Sequence, residues 1–207
     1  SKKPAKLRQA GARPSTIFFR LIFLVGLGAL GFAIYLVLQP PAQIPAGIQP
    51  MTVPEAAQWA SFLQAASKSS GGAWQGDENL INRFLAASVR LQPIENPYGI
   101  KAGFKRCYLD LVDGRVDFTM QVELQGRSVY LRVALAPETV GGKLGVRVVD
   151  AALGQLPIPG PLANYLLPLW NPCFDSLENV LAVFKNAKSA EVTSKRVVVR
   201  WPDASSR

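Results

Sequence analysis

The residues of this chain best suited to chemistry are carboxylates. Asp110, Asp113, Asp117 and Glu123 crowd one stretch and Glu138 follows; two carboxylates held together can serve as general acid and base. Their pattern argues for a plainer role. Asp113 precedes Gly114 in an Asp-Gly turn, while Asp117 and Glu123 fall on the polar side of an alternating stretch, so these acids are expected on a solvated face. Asp77, Glu78 and Arg83 form a second charged group where a helical pattern begins. Acids there complement the helix macrodipole, and Arg83 reads as a solvated side chain. The chain has no histidine, which removes Ser-His-Asp and Cys-His arrangements and the commonest metal ligand. It also shows no glycine-rich phosphate loop and no metal-ligand cluster. The expectation is a non-enzyme with no catalytic residues, no metal and no cofactor.

Cys107 and Cys173 are the two remaining reactive groups, far apart and outside any CxxC motif. In an oxidising compartment a disulfide between them and a pair of buried free thiols fit the sequence equally. Closing so long a loop would contribute about 4 kcal/mol in the chain-entropy treatment.

The element that sets the surroundings of all these residues is the segment 17–38, IFFRLIFLVGLGALGFAIYLVL, whose one charge is Arg20. About 20 apolar residues in a helix cross a bilayer, and an arginine in the first turn can lift its guanidinium back to the headgroups. Lys2, Lys3, Lys6, Arg8 and Arg13 precede it with no acid among them, which by the positive-inside rule keeps the N-terminus cytoplasmic. These residues and Arg20 are expected at the membrane surface, where each charge contributes roughly 1 kcal/mol on anionic lipid. A cleaved signal peptide is the rival reading. Its apolar core is shorter and ends at a small-x-small site, whereas Gln39-Pro40-Pro41-Ala42 is a poor one. The expectation is a single-pass inner (cytoplasmic) membrane protein whose main domain is periplasmic or extracellular. Gly26, Gly28 and Gly31, with Ala29 and Ala33, are ordinary span composition or else a small-residue face, Gly26 to Ala33, that packs on helices of another membrane subunit.

The organisation read from these signals is a basic arm over 1–16, the anchor over 17–38, a proline-rich linker over 39–51, one α+β domain over 52–202 and a tail over 203–207. Much of the formal charge of +9 lies in the first 20 residues, which leaves the domain too mildly basic to suggest nucleic acid. Pro40, Pro41, Pro45, Pro50 and Pro54 should keep the linker extended and hold the domain off the bilayer.

Thr52-Val53-Pro54-Glu55 reads as a capping box opening a helix over about 53–67. Gly76 or Asp77 caps a second helix with Leu80, Ile81, Phe84 and Leu85 on one face, closed by Gln92-Pro93. From Lys105 the period changes to two. Four strands follow, separated by Asp113-Gly114, Gly126-Arg127 and Gly141-Gly142, in an antiparallel meander with one apolar and one polar face. Residues 153–161, with three prolines, suit neither a regular helix nor an interior strand. The apolar run 162–170 after them is either a lid on the core or a mouth touching lipid. Phe174, Leu177, Val180, Leu181 and Phe184 then make one amphipathic helix, followed by short strands at 191–193 and around Val197, Val199 and Trp201. The fold class is therefore α+β: a single N-terminal transmembrane helix, then an antiparallel curved sheet packed on helices.

The order of these pieces resembles the YpmS-like bacterial membrane-anchored proteins. Two segments carry the likeness: the helix start Gly76-Asp77-Glu78-Asn79-Leu80-Ile81-Asn82, and Gly154-Gln155-Leu156-Pro157-Ile158-Pro159 after the strands, which is similar to that family's G-x-L-P-x-P turn. More distantly, residues 50–200 look like half of a tubular lipid-binding (TULIP) module, whose curved sheet wraps a helix around an apolar groove. The family supplies no catalytic residues; the resemblance implies a lipid-facing scaffold. The expected ligand face is Phe118, Met120, Val122, Val129, Leu131 and Val133, and the lip is Leu156, Ile158, Leu166, Leu167 and Trp170. Two functions follow as expectations: binding of lipid or another apolar ligand, or service as an accessory subunit of a membrane complex.

Overall fold

In the computed structural model the backbone is described for residues 14–42, 44–45, 47–89, 94–95 and 101–202, and the side chains for all of these except 14–17, 94–95, 101–102 and 166. The expected surface residues Lys2, Lys3, Lys6, Arg8 and Arg13, the arm up to residue 13, the tail and the Gln92-Pro93 stop lie outside the described residues. The chain divides into two compact units, one ending at Tyr35 and one beginning at Leu36. The first is the helix α1 (Pro14–Leu38), whose last turn belongs to the second unit. Proline suits its first position because that N–H has no partner within a helix. The stretch Phe18–Leu38 has a mean hydropathy of 2.6, with none of it buried, and is long and apolar enough to span a membrane.

The second unit is α+β. Helix α2 (Val53–Lys68) starts at the expected capping box: the Thr52 N–H donates to Glu55 Oε2 at 2.8 Å, and the Thr52 hydroxyl accepts from the Glu55 N–H. A short strand β1 (Ala73–Asp77) then leads into α3 (Glu78–Ser88), capped by the Asp77 carboxylate on the Leu80 N–H. The main sheet follows: β2 (Ile94–Glu95), β3 (Lys101–Val112), β4 (Arg115–Leu124), β5 (Arg127–Val140), β6 (Lys143–Leu153) and β7 (Leu156–Ile158), antiparallel and in sequential order. The expected meander is present. Its second turn is Gln125-Gly126, one residue earlier than the sequence suggests, both residues having positive φ. β7 is an edge strand, a sheet position that tolerates Pro157.

The apolar run is mostly helical: α4 (Gly160–Leu166) and a 3₁₀ turn (Leu167–Trp170). The single amphipathic helix expected next is two, α5 (Asn171–Ser176) and α6 (Glu178–Phe184), separated at Leu177. Asp175 and Ser176 sit at that break, and their short polar side chains compete with helical backbone bonding. Strands β8 (Ser189–Thr193) and β9 (Arg196–Arg200) pair with β1 in a second sheet of order β1-β9-β8.

Helix α3 seals the outer edge of β3. The Asn82 side chain donates to the Leu109 carbonyl at 2.8 Å and accepts from the Leu109 N–H at 2.7 Å, while Glu78 accepts from the Leu111 N–H at 3.0 Å. Edge groups that would otherwise template another strand are thereby satisfied.

The segment after α1 is a strap on the domain, a correction to its reading as a spacer. The Gln155 side chain donates to the Pro40 carbonyl, Arg106 donates to the Pro45 carbonyl, and the Met51 N–H donates to the Arg83 carbonyl. The strap starts where the β6–β7 turn meets the end of α1. There the Gln155 N–H donates to the Leu36 carbonyl at 2.9 Å. Gly154, at φ +59°, lies so close that a Cβ would strike the Leu36, Val37 and Gln39 carbonyls. Proline lacks an N–H but keeps a strong carbonyl acceptor, so a proline-rich segment can dock onto donors as readily as it can stand away from them.

Candidate functional site

The two faces of the main sheet have different fates. On one, alternate residues Cys107, Leu109 and Leu111 of β3, Phe118 and Met120 of β4, and Leu131 and Val133 of β5 join the core. Their cover is unequal. Over Met120, Val129, Leu131 and Val133, all buried, the chain packs tightly, and the Cys173 thiol donates to Met120 Sδ at 3.5 Å. Trp170, 1 % exposed, is part of this lid.

Toward the other end of the strands the same face borders a cavity of about 550 Å³. Its floor is Leu109, Val116, Phe118, Leu135 and Leu144 of the main sheet. The walls are Trp59 of α2, Trp74 of β1, Ile81 and Leu85 of α3, Val197 and Val199 of β9, and Phe174, Leu177, Val180 and Phe184 of α5–α6. The aromatic rings of this wall hold one another. Trp59 stacks on Phe84 at 4.2 Å and meets Trp74 edge-on at 5.5 Å; Trp74 meets Phe184, which stacks on Trp201. Such contacts add roughly 0.5–1.5 kcal/mol each beyond area burial and fix the wall's shape. The opening lies between β6 and α6. Val146, on the core-facing side of β6 with Leu144 and Val148, is nonetheless 66 % exposed; Leu181 opposite is 38 % exposed, and Lys185 completes the rim.

Among the expected ligand residues, Phe118 lines this cavity. Met120, Val129, Leu131 and Val133 are closed core, and Val122 is partly buried against it. Of the expected lip, Trp170 is buried in the lid. Leu156 and Ile158 are half-buried on β7, Leu167 packs on the core, and the Leu166 side chain lies outside the described residues. The lid half of the run is therefore core, and its outer side shows Leu162, Tyr165 and Leu169. The cavity lies on the sheet face of the expected ligand residues, toward the end where Phe118 lies. The wall residues come from six separate elements, and no single periodicity marks them.

The other sheet face is half-buried and polar rather than simply solvated. Asp110, Asp117, Ala134 and Asp150 form one row across four strands, with Tyr108, Thr119, Arg132 and Ala152 in the next. Asp117, 6 % exposed, corrects the expectation of a solvated acid: Arg132 holds it at 2.9 Å and Arg115 at 3.0 Å, and Arg132 also reaches Asp150 at 2.7 Å. Glu123 and Glu138 do sit at the surface, paired with Lys105 and Arg147, and Asp113 accepts from the Ser194 N–H. Burial, with Glu78 beside it, pushes the Asp110 carboxyl above the usual range against the opposing pull of Arg115. Burial likewise raises the Tyr108 phenol. Pro41 and Ala42 of the strap help to line a polar hollow of about 490 Å³ over this face.

Cys107 and Cys173 converge in the core as free, hydrogen-bonded thiols. That shared hydrogen bond, with burial, holds the Cys107 thiol well above its usual range. Among the described residues no group of three or more His, Cys, Asp or Glu is placed to hold a metal ion.

Fold and site together define an α+β module with an apolar cavity between its sheet and its helices. Compared with known proteins, the chain matches no family model and no curated sequence.

Proposed function

We propose that residues 36–207 form a non-catalytic binding module for lipid or another apolar ligand, anchored by α1 to the membrane and lying on its extracytoplasmic side. The observation that carries this reading is the cavity. Its volume of about 550 Å³ sits within the range of small-molecule sites, about 300–1,000 Å³. It opens between β6 and α6, and a guest that covers its apolar lining gains about 25 cal/mol per Å² of apolar surface removed from water. Lys185, on the rim, is the one ionisable side chain of the lining, with no acid or base to pair with it there, so the reading is binding rather than turnover. The likeness to YpmS-like and tubular lipid-binding proteins points the same way, as do the exposed Leu162, Tyr165 and Leu169 beside the lid.

The test uses the full chain in phosphatidylcholine nanodiscs and a brominated probe, 9,10-dibromostearyl alcohol. Trp59 and Trp74 line the cavity and α1 contains no tryptophan, so bromine that enters the cavity quenches their fluorescence. Saturable quenching is expected, and Val180→Phe, which puts a ring into the cavity, should weaken it while leaving the unfolding temperature equal or higher. Affinity should climb about three- to fourfold per added methylene, from about 0.8 kcal/mol per buried CH₂. Quenching that is unsaturable and indifferent to Val180→Phe would sink the proposal and leave the accessory-subunit role, through the Gly26–Ala33 face of α1, as the better reading.

A further inference from the structure

Resting on that reading, we infer that the guest is an amphiphile with an anionic head, its hydrocarbon tail in the cavity and its head at Lys185. The argument begins with what the cavity lacks. Its lining carries no hydroxyl, amide, carboxylate or cationic group in the interior; the polar groups of its walls are the indole N–H donors of Trp59 and Trp74, too few to replace the water around a charged head. The head must therefore remain at the mouth. There Lys185 is the one charged lining residue, exposed on the rim beside Leu181. A lysine so placed lays its apolar stem along the lip and keeps its ammonium in water.

The sign of the surrounding charge agrees. The Leu144 N–H donates to the Ala187 carbonyl at 2.9 Å, which brings Lys143 and Lys188 to the same end of the opening as Lys185. No ion pair among the described residues engages any of these three lysines. Three cations without carboxylate partners beside an apolar opening suit an anion on a hydrocarbon tail, and disfavour a cationic head by like-charge repulsion.

The experiment compares 9,10-dibromostearate with 9,10-dibromostearyl alcohol on the full chain in phosphatidylcholine nanodiscs, reading tryptophan quenching. Dibromostearate should bind about fivefold more tightly, the scale of one exposed ion pair. K185Q should remove that preference while leaving the alcohol's affinity unchanged, and raising the salt concentration should narrow it. Equal binding of acid and alcohol, or a preference that survives K185Q, overturns the anionic-head inference while the apolar site stands. Failure of both probes to quench overturns the site itself.

Discussion

Asn82 shows how one side chain can replace a strand. Its amide presents a donor and an acceptor to the N–H and C=O of Leu109, the pattern an adjacent strand would offer, and it is 2 % exposed. Asn82→Ala would leave two buried backbone groups unpaired, each costing about 1–3 kcal/mol. The variant should lose about 3 kcal/mol of stability in urea unfolding followed by tryptophan fluorescence. A loss below 0.5 kcal/mol, about the effect of an ordinary surface substitution, would show that water serves Leu109 equally well. Nothing in the sequence distinguished this residue from a polar position on an amphipathic helix; its partner lies 27 residues away. Lys185 was equally illegible, because an exposed lysine acquires meaning only from the cavity beside it.

At the level of elements, legibility followed how local the determining forces are. Turns and caps were readable because a few adjacent residues decide them: Asp113-Gly114, Gly141-Gly142 and the Thr52–Glu55 box all stand where the sequence places them. The strand β1 was not, since Ala73–Asp77 is held by pairing with β9, more than a hundred residues on. The polar sheet face misled for a similar reason. Alternation shows which residues share a face, but not that a distant strap covers it. The covered row has a consequence in pH. Burial raises the Asp110 carboxyl, and the negative charge of Glu78 beside it raises it further. With its folded-state pKa raised above the unfolded value, Asp110 favours folding when protonated, and this contribution is lost as pH rises through the folded pKa. Asp110→Asn should therefore stabilise the protein at pH 7 by up to about 1 kcal/mol, the scale of one close like-charge pair. The gain should vanish at pH 3, where both states of the wild-type carboxyl are protonated. Parallel unfolding curves at the two pH values decide it; a gain that persists at pH 3 would mean packing, not charge.

For the molecule as a whole, the strap changes where the folded domain begins. Composition alone places a boundary at residue 52, after the prolines, yet the second compact unit begins at Leu36, and Val37 and Leu38 pack on its core. Among the described residues three hydrogen bonds tie this segment to the domain: Gln155 N–H to Leu36, the Gln155 side chain to Pro40 and Arg106 to Pro45. At about 1 kcal/mol each they amount to roughly 3 kcal/mol, before counting the cover that Pro41 and Ala42 give beside Tyr108. A chain starting at Leu36 should then fold without detergent and unfold cooperatively, whereas one starting at Met51 should be less stable by about that amount. Urea midpoints of the two fragments test this directly, and equal midpoints would return residues 36–50 to the role of spacer.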